Sequence, residues 1–212
     1  MDRIAALRKD YTQAELSEGD LTPNPFAQFS HWFEQALRAE LPEPNAMTLA
    51  TVSADGRPAA RIVLIKGFDE RGFCFYTNYD SRKGHELSAK PLAALLFHWM
   101  PLERQVRIRG HVTPVSDAEA DAYFATREHG KQIGAWASHQ SEPLSSHAAL
   151  IARAAELELK YALSPVPRPP HWSGYRVSPQ EIEFWSQGTF RLHDRMLFTR
   201  KGEGWETVRL NP

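Results

Sequence analysis

The sequence predicts an α+β chain built on an antiparallel barrel. Three observations carry this expectation. From Met47 to Val112, short apolar runs alternate with turns containing Gly and Asp. A helical spacing of large apolar residues precedes that stretch, and two further helical segments follow it. The chain then ends in four more strand-like runs. Strands, then helices, then strands, without βαβ alternation, favour a meander that closes on itself and takes its late strands back into the first sheet.

The elements follow in order. Residues 1–16 are highly charged and offer little apolar face, so residues 1–20 read as a mobile arm and residues 21–212 as a single domain. Asn24 can cap a helix with Pro25 at its first position. Phe26, Phe29, Trp32, Phe33, Ala36 and Leu37 recur at helical spacing until Leu41-Pro42 stops them. Strands are expected over Met47–Val52, Arg61–Lys66, Phe73–Asn78, Leu92–Trp99 and Gln105–Val112, with Ala54-Asp55-Gly56-Arg57 and Asp69-Glu70-Arg71-Gly72 as turns. A short helix capped by Ser81 fits Ser81–Lys90. Ser116-Asp117-Ala118-Glu119 is a capping-box pattern. Another helix covers about Ser146–Tyr161, with Glu156 and Lys160 on a solvated face. Pro165–Pro170 is a connector. Gly174–Val177, Glu181–Trp185, Arg191–Phe198 and Trp205–Leu210 are the late strands.

The bulk numbers remove several function classes. A formal net charge of −1 lacks the basic excess of a chain that grips a nucleic-acid backbone. The single cysteine, Cys74, cannot form an internal disulfide and reads as a buried apolar thiol in a strand. No apolar run nears the roughly 20 residues that span a bilayer. With no signal-peptide core at the start, the expected location is cytoplasmic. Neither G-x-x-x-x-G-K-[ST] nor G-x-G-x-x-G occurs, and the nine His show no H-E-x-x-H spacing, so no metal is expected.

Strand parity picks out the candidate chemistry, because residues two apart share a face. Arg191, His193 and Arg195 would share one face, which would gather positive charge unless something anionic or electron-rich lies against it. Gln105, Arg107 and Arg109 would share another, with Val106 and Ile108 toward the core; there a solvated sheet face is the simpler reading. Arg61 and Lys66 flank an apolar run at an odd separation, so a regular strand puts them on opposite faces unless a bulge intervenes. Ser81-Arg82-Lys83 at a helix start could cradle a phosphate.

Several segments, in this order, carry a resemblance: Arg61-Ile62-Val63-Leu64-Ile65-Lys66, Phe75-Tyr76-Thr77-Asn78, Ser81-Arg82-Lys83, Leu102-Glu103-Arg104-Gln105-Val106, Gln132-Ile133-Gly134-Ala135-Trp136, Gln140-Ser141, Glu183-Phe184-Trp185 and Arg191-Leu192-His193-Asp194-Arg195. Together they resemble the pyridoxine/pyridoxamine 5'-phosphate oxidase family, from Arg8 to Pro212. The resemblance implies an antiparallel FMN-binding split β-barrel with flanking helices, a homodimer with FMN at the interface, and oxidation of pyridoxamine or pyridoxine 5'-phosphate to pyridoxal 5'-phosphate, with O2 reduced to H2O2. It implies FMN contacts from Arg61, Ile62, Val63, Leu64, Ile65, Lys66, Tyr76, Thr77, Arg82, Lys83, Gln105, Gln140, Ser141, Trp185 and Arg195. It implies substrate contacts from Lys66, Tyr123, Arg127 and the position of Lys131. Arg191 and His193 would lie over the substrate ring as the catalytic pair, and Arg8 and Tyr11 would form a lid on the arm.

The chain departs from the family pattern in two places. Thr126-Arg127-Glu128-His129-Gly130-Lys131-Gln132 stands where the family has Ser-Arg-Pro and a later Ser, so Lys131 replaces a phosphate-binding Ser and Glu128 a Pro. Ser186 interrupts a Trp-Gln-Gly stretch. Two alternatives stay open. One is a related flavin oxidase of phenazine biosynthesis, which has a stretch similar to Gln187-Gly188-Thr189. The other is a non-catalytic protein of the same barrel that binds FMN or pyridoxal phosphate.

Overall fold

The computed structural model describes residues 21–212, so the expected lid residues Arg8 and Tyr11, and the arm as a whole, lie outside the described residues. The order is α1 (Pro25–Arg38), β1 (Ala46–Val52), β2 (Pro58–Leu64), β3 (Gly67–Asp69), β4 (Gly72–Asn78), α2 (Arg82–Ala89), β5 (Leu92–Trp99), β6 (Arg104–Pro114), α3 (Asp117–Ala125), α4 (His129–Ala137), α5 (His147–Lys160), β7 (Trp172–Ser186), β8 (Asp194–Lys201) and β9 (Gly204–Arg209).

All strand pairs are antiparallel, in the order β2-β1-β5-β6-β7-β4-β3, with β8 on β7 and β9 on β8. The two ends of that path, β2 and β3, are joined by Ile65 and Lys66 alone. The three Cα–Cα steps from Leu64 to Gly67 span at most about 11 Å, so the sheet has to curl until those two strand ends lie close together. The result is a curled half-barrel, as expected. It is not a simple meander: β1 leaves its hairpin to pair with β5, and β4 pairs with β7.

Strand β7 organises the sheet. Two late strands, Gly174–Val177 and Glu181–Trp185, are instead one 15-residue strand. Its first part pairs with β4, its last part with β8, and its length with β6. The β6 register shifts between Arg109 and Gly110. A Cβ on Gly110 would lie 2.1 Å from the Ser178 carbonyl oxygen, so only glycine lets the two backbones approach there.

Helix α1 closes the curl from one side. Asn24 Oδ1 accepts from the Phe26 and Ala27 amides, and Pro25 occupies the first turn. The buried stripe Phe26, Phe29, Trp32 and Ala36 enters the core, whereas Leu37 is exposed. Phe29 meets the rings of Phe68, Phe73 and Phe97 at 4.8, 4.9 and 5.0 Å, all close to edge-on, the favourable geometry for aromatic pairs. Phe29→Ala should therefore lower unfolding free energy by about 3–5 kcal/mol, read as a shift of the denaturation midpoint at constant m-value. Cys74 is buried, and burial pushes its thiol up to about 11, so it stays an unreactive core group at neutral pH.

The expected caps hold: Ser81 accepts from the Gly84 amide, and Ser116 and Glu119 form both bonds of a capping box. Ser146 caps its helix as well, accepting from the Ala149 amide. The expectation for Arg191 to Arg195 fails. Arg191 and His193 precede β8, which begins at Asp194, and Thr189–Arg191 form a 3-10 turn with Phe190 and Arg191 at φ 54° and 64°. The Leu192 amide donates to the Thr189 carbonyl, and the Gly188 amide donates to His193 Nδ1 at 3.3 Å. These local bonds take the backbone groups a strand would use, so Arg191, His193 and Arg195 do not alternate on one pleated face. Among the described residues, no helix is long and apolar enough to cross a membrane, and no group of His, Cys, Asp and Glu could hold a metal ion.

Candidate active site

A cavity of about 680 Å³ opens between the end of β2, β4, the starts of α2 and α4, and the end of α3. Arg61, Ile62, Val63, Leu64 and Lys66 form one wall. Arg61 and Lys66 would face opposite sides of an unbroken strand. They face one cavity because β2 stops at Leu64 and the chain turns at Ile65, whose side chain is buried in the core. The Lys66 amide then donates to the Cys74 carbonyl and starts the β3–β4 side of the sheet.

The opposite wall is aromatic. Tyr123 and Tyr76 stack at 4.0 Å, and Tyr76 stacks on Trp172 at 5.5 Å with its ring nearly parallel. Gly174, the β7 partner of Tyr76, makes room for this: a Cβ there would be 2.8 Å from the Tyr76 ring. The Arg127 guanidinium lies 4.7 Å from the centre of the Trp172 ring, a cation–π arrangement. Arg168 fixes the wall from behind. Its side chain donates to Asp121 and Asp117 of α3 and to the Trp172 carbonyl, so the helix carrying Tyr123 is tied to the strand carrying Trp172.

Charge gathers at two places in this cavity. The first is built on Glu86, which is buried beneath it. Burial raises a carboxyl's pKa, but hydrogen bonds from Thr51, Arg61 and Arg82 outweigh that and hold Glu86 below the ordinary carboxylate range. Arg61 reaches Glu86 at 2.9 Å and also donates to Thr51. Lys83 donates to Ser81 Oγ and Gln140 Oε1. Burial, and then the neighbouring Arg61, push Lys83 down to about 8. The second place is Arg127 with Lys131. Arg127 donates to the Lys131 carbonyl, its Nε is buried without a hydrogen-bond partner, and burial lowers its pKa.

A separate polar group crosses β6, β7 and β8. Gln105 is level with Trp185, and Trp185 with Arg195, so the three form one row. Glu183 accepts from Arg195 at 2.7 Å and from Arg107 at 3.4 Å. The pairing with Glu183 raises the Arg195 pKa. The His193 ring lies 4.6 Å from that of Trp185. Burial, then Arg191 and Arg195, lower the His193 pKa and so favour the neutral ring. With Nδ1 accepting from Gly188, its proton sits on Nε2. None of these residues lines the 680 Å³ cavity.

Residues 33–161 match the family described as pyridoxamine 5'-phosphate oxidase, and residues 172–212 match the pyridoxine 5'-phosphate oxidase C-terminal dimerisation region. The chain belongs to the pyridoxamine 5'-phosphate oxidase family. It is 59% identical over 209 residues to the pyridoxine/pyridoxamine 5'-phosphate oxidase of Rubrobacter xylanophilus, covering 99% of this chain and 96% of that one. It is 58% identical over 215 residues to the enzyme of that name from Burkholderia cenocepacia, with both chains fully covered. Among solved structures, PhzG from Burkholderia lata 383 in complex with tetrahydrophenazine-1-carboxylic acid superposes with a TM-score of 0.86 at 37% identity, covering 92% of this chain and 95% of that one. A pyridoxamine 5'-phosphate oxidase-related, FMN binding protein from Nostoc punctiforme shares the fold, with a TM-score of 0.71 at 19% identity over 91% of this chain and 98% of that one. The chain is thus an oxidoreductase of the pyridoxamine phosphate oxidase type.

The residues that the family resemblance singles out fall into two sets. Arg61, Ile62, Val63, Leu64, Lys66, Tyr76, Thr77, Lys83, Tyr123, Arg127, Lys131 and Gln140 line the cavity. Arg82 and Ser141 lie beside it, joined by the Arg82 amide donating to Ser141 Oγ, and Ile65 is in the core. Gln105, Trp185, Arg191, His193 and Arg195 form the second set. Sequence reasoning did not assign Asn78, Thr126, Glu128, Ala135, Ser138 or Trp172 to the site, and all six line the cavity. Trp172 had one available signal in the sequence: a large aromatic two residues after a proline-rich connector.

Proposed function

We propose that the chain is an FMN-dependent oxidase that converts pyridoxamine and pyridoxine 5'-phosphates to pyridoxal 5'-phosphate, reducing O2 to H2O2. The observation that carries this reading is one cavity with two separate cationic groups, Arg61 with Lys83 and Arg127 with Lys131, around a flat aromatic and aliphatic wall. Two phosphorylated, ring-bearing ligands match that donor set, and the partnerless Arg127 Nε fits an arriving anion. FMN would supply hydride acceptance and transfer of electrons to oxygen. The chain's own residues then bind and orient. Arg61 and Lys83 hold one phosphate while Glu86 keeps Arg61 in place. Arg127, Lys66, Tyr123 and Lys131 hold the other. His193 offers its Nε2 proton as a hydrogen-bond donor, and Arg191 faces developing negative charge.

The second set of residues reaches the cavity in a homodimer, where each protomer lends its β7–β8 edge to the other's site. The match of residues 172–212 to a dimerisation region supports this, as do the exposed Phe190 and Leu192, 94% and 69% accessible, beside His193. Likeness to PhzG favours a second reading, oxidation of a phenazine precursor. The higher identity to the vitamin B6 enzymes, over the full chain, favours the first. Purified protein should be yellow and should release peroxide and pyridoxal 5'-phosphate when given pyridoxamine 5'-phosphate. A yellow protein inert to both phosphorylated vitamers would sink the proposal.

A further inference from the structure

Among the described residues, the Arg127–Lys131 end of the cavity contains one carboxylate. Glu128 lines the same cavity, and its Oε1 lies 3.0 Å from Lys131 Nζ. Both side chains are largely in water, at 77% and 63% accessible. Glu128 is the N-cap of α4, yet its side chain makes no cap hydrogen bond, so the usual structural reason for an oxygen-bearing side chain there is missing. Lys131 is the third residue of that helix, where the helix dipole disfavours a cation. Arg127 is held differently, by the Lys131 carbonyl and the Trp172 ring, with its Nε free. Glu128 therefore occupies one of the two cations at this end and leaves the other open.

Resting on the reading of this end as a phosphate-ester site, we propose that Glu128 is a specificity-determining counter-ion that a phosphate group must displace from Lys131. An exposed ion pair costs little to break, so the exchange is easy. The displaced carboxylate stays within one side chain's reach of the incoming anion and repels it, the more strongly the lower the salt. Glu128 thus weakens retention of phosphorylated substrate and product alike and favours release. A purely structural Glu128, steadying the first turn of α4, would change thermal stability and leave anion affinity alone.

The test uses protein loaded with FMN, so that the Arg61–Lys83 end is already covered. Glu128→Gln removes the charge at constant shape. Inorganic phosphate binding, measured by calorimetry at low salt, should tighten by about three- to ten-fold, and the gain should shrink as salt is added. KM for pyridoxamine 5'-phosphate should fall by a similar factor, while inhibition by unphosphorylated pyridoxamine should not change. Lys131→Gln should weaken phosphate binding, because Glu128 is then unopposed. Unchanged or weaker phosphate binding in Glu128→Gln overturns the proposal, as does an equal gain for pyridoxamine. If the wild type never turns over pyridoxamine 5'-phosphate, the functional reading fails separately, and the phosphate titration still decides the role of Glu128.

Discussion

Affinity of the apoprotein for FMN is expected to fall as pH rises through about 8, by up to about tenfold per pH unit. Lys83 is the cause. Its ammonium donates to Ser81 and Gln140, and burial followed by the adjacent Arg61 brings its pKa down from 10.5 to about 8. A bound phosphate dianion favours the charged form, so binding above that pH has to take up a proton as well. Stability of the apoprotein runs the other way. The unfolded chain keeps its lysine protonated up to about 10.5, so between about 8 and that value the unfolded state binds more protons, and this group's contribution to stability rises with pH. Opposite slopes for cofactor affinity and apoprotein stability over one pH window are hard to produce by general alkaline damage. Lys83→Arg should remove the slope in affinity, since a guanidinium does not titrate there. Lys83→Gln should remove the slope and also weaken binding by about ten- to a hundred-fold, the worth of a charge-assisted hydrogen bond to phosphate. A wild-type titration flat from pH 7 to about 9.5 would contradict the assignment of Lys83 to the cofactor phosphate.

How far the site could be read from the chain depends on which interactions set each part. The helices with a capping residue at the predicted place, Asn24, Ser81 and Ser116, form as expected, because a cap is decided within four residues. The inward set on β6, Val106 and Ile108, also follows from parity alone. Helix α4 was visible only as a family motif: it is nine residues long, holds Gly130 and Gly134, and has no side-chain cap. The strand order was not legible, because the pairing of β4 with β7 joins residues about a hundred positions apart. Arg61 and Lys66 converge through a turn at Ile65 that is imposed by closure of the sheet, and parity placed them apart. At Arg191 parity misled for a local reason. Gly188 packs so closely on the Leu192 carbonyl that an added Cβ would be 1.9 Å away, and this tight turn delays the strand to Asp194.

The division of the expected residues into two sets has a consequence that subunit mixing can test. Arg127 lines the cavity and Arg191 does not. If both serve one reaction centre, that centre draws on two chains, and a protomer damaged at Arg127 can still lend Arg191 to its partner. Arg127→Gln and Arg191→Gln should each lower kcat/KM by about 30- to 1000-fold as homodimers, the effect of losing one charged contact to substrate or to developing charge. Refolding an equal mixture gives half heterodimers. Each of these has one site carrying both lesions and one carrying neither, so the mixture should recover about a quarter of wild-type activity. A site contained in one chain gives a different result: every site in the mixture then keeps one lesion, and activity stays at the mean of the two variants. Recovery therefore locates the reacting residues on opposite subunits without reference to any bound ligand. Its absence, with heterodimers demonstrated by mass, would place Arg127 and Arg191 in a site contributed by one chain and overturn the shared-site reading.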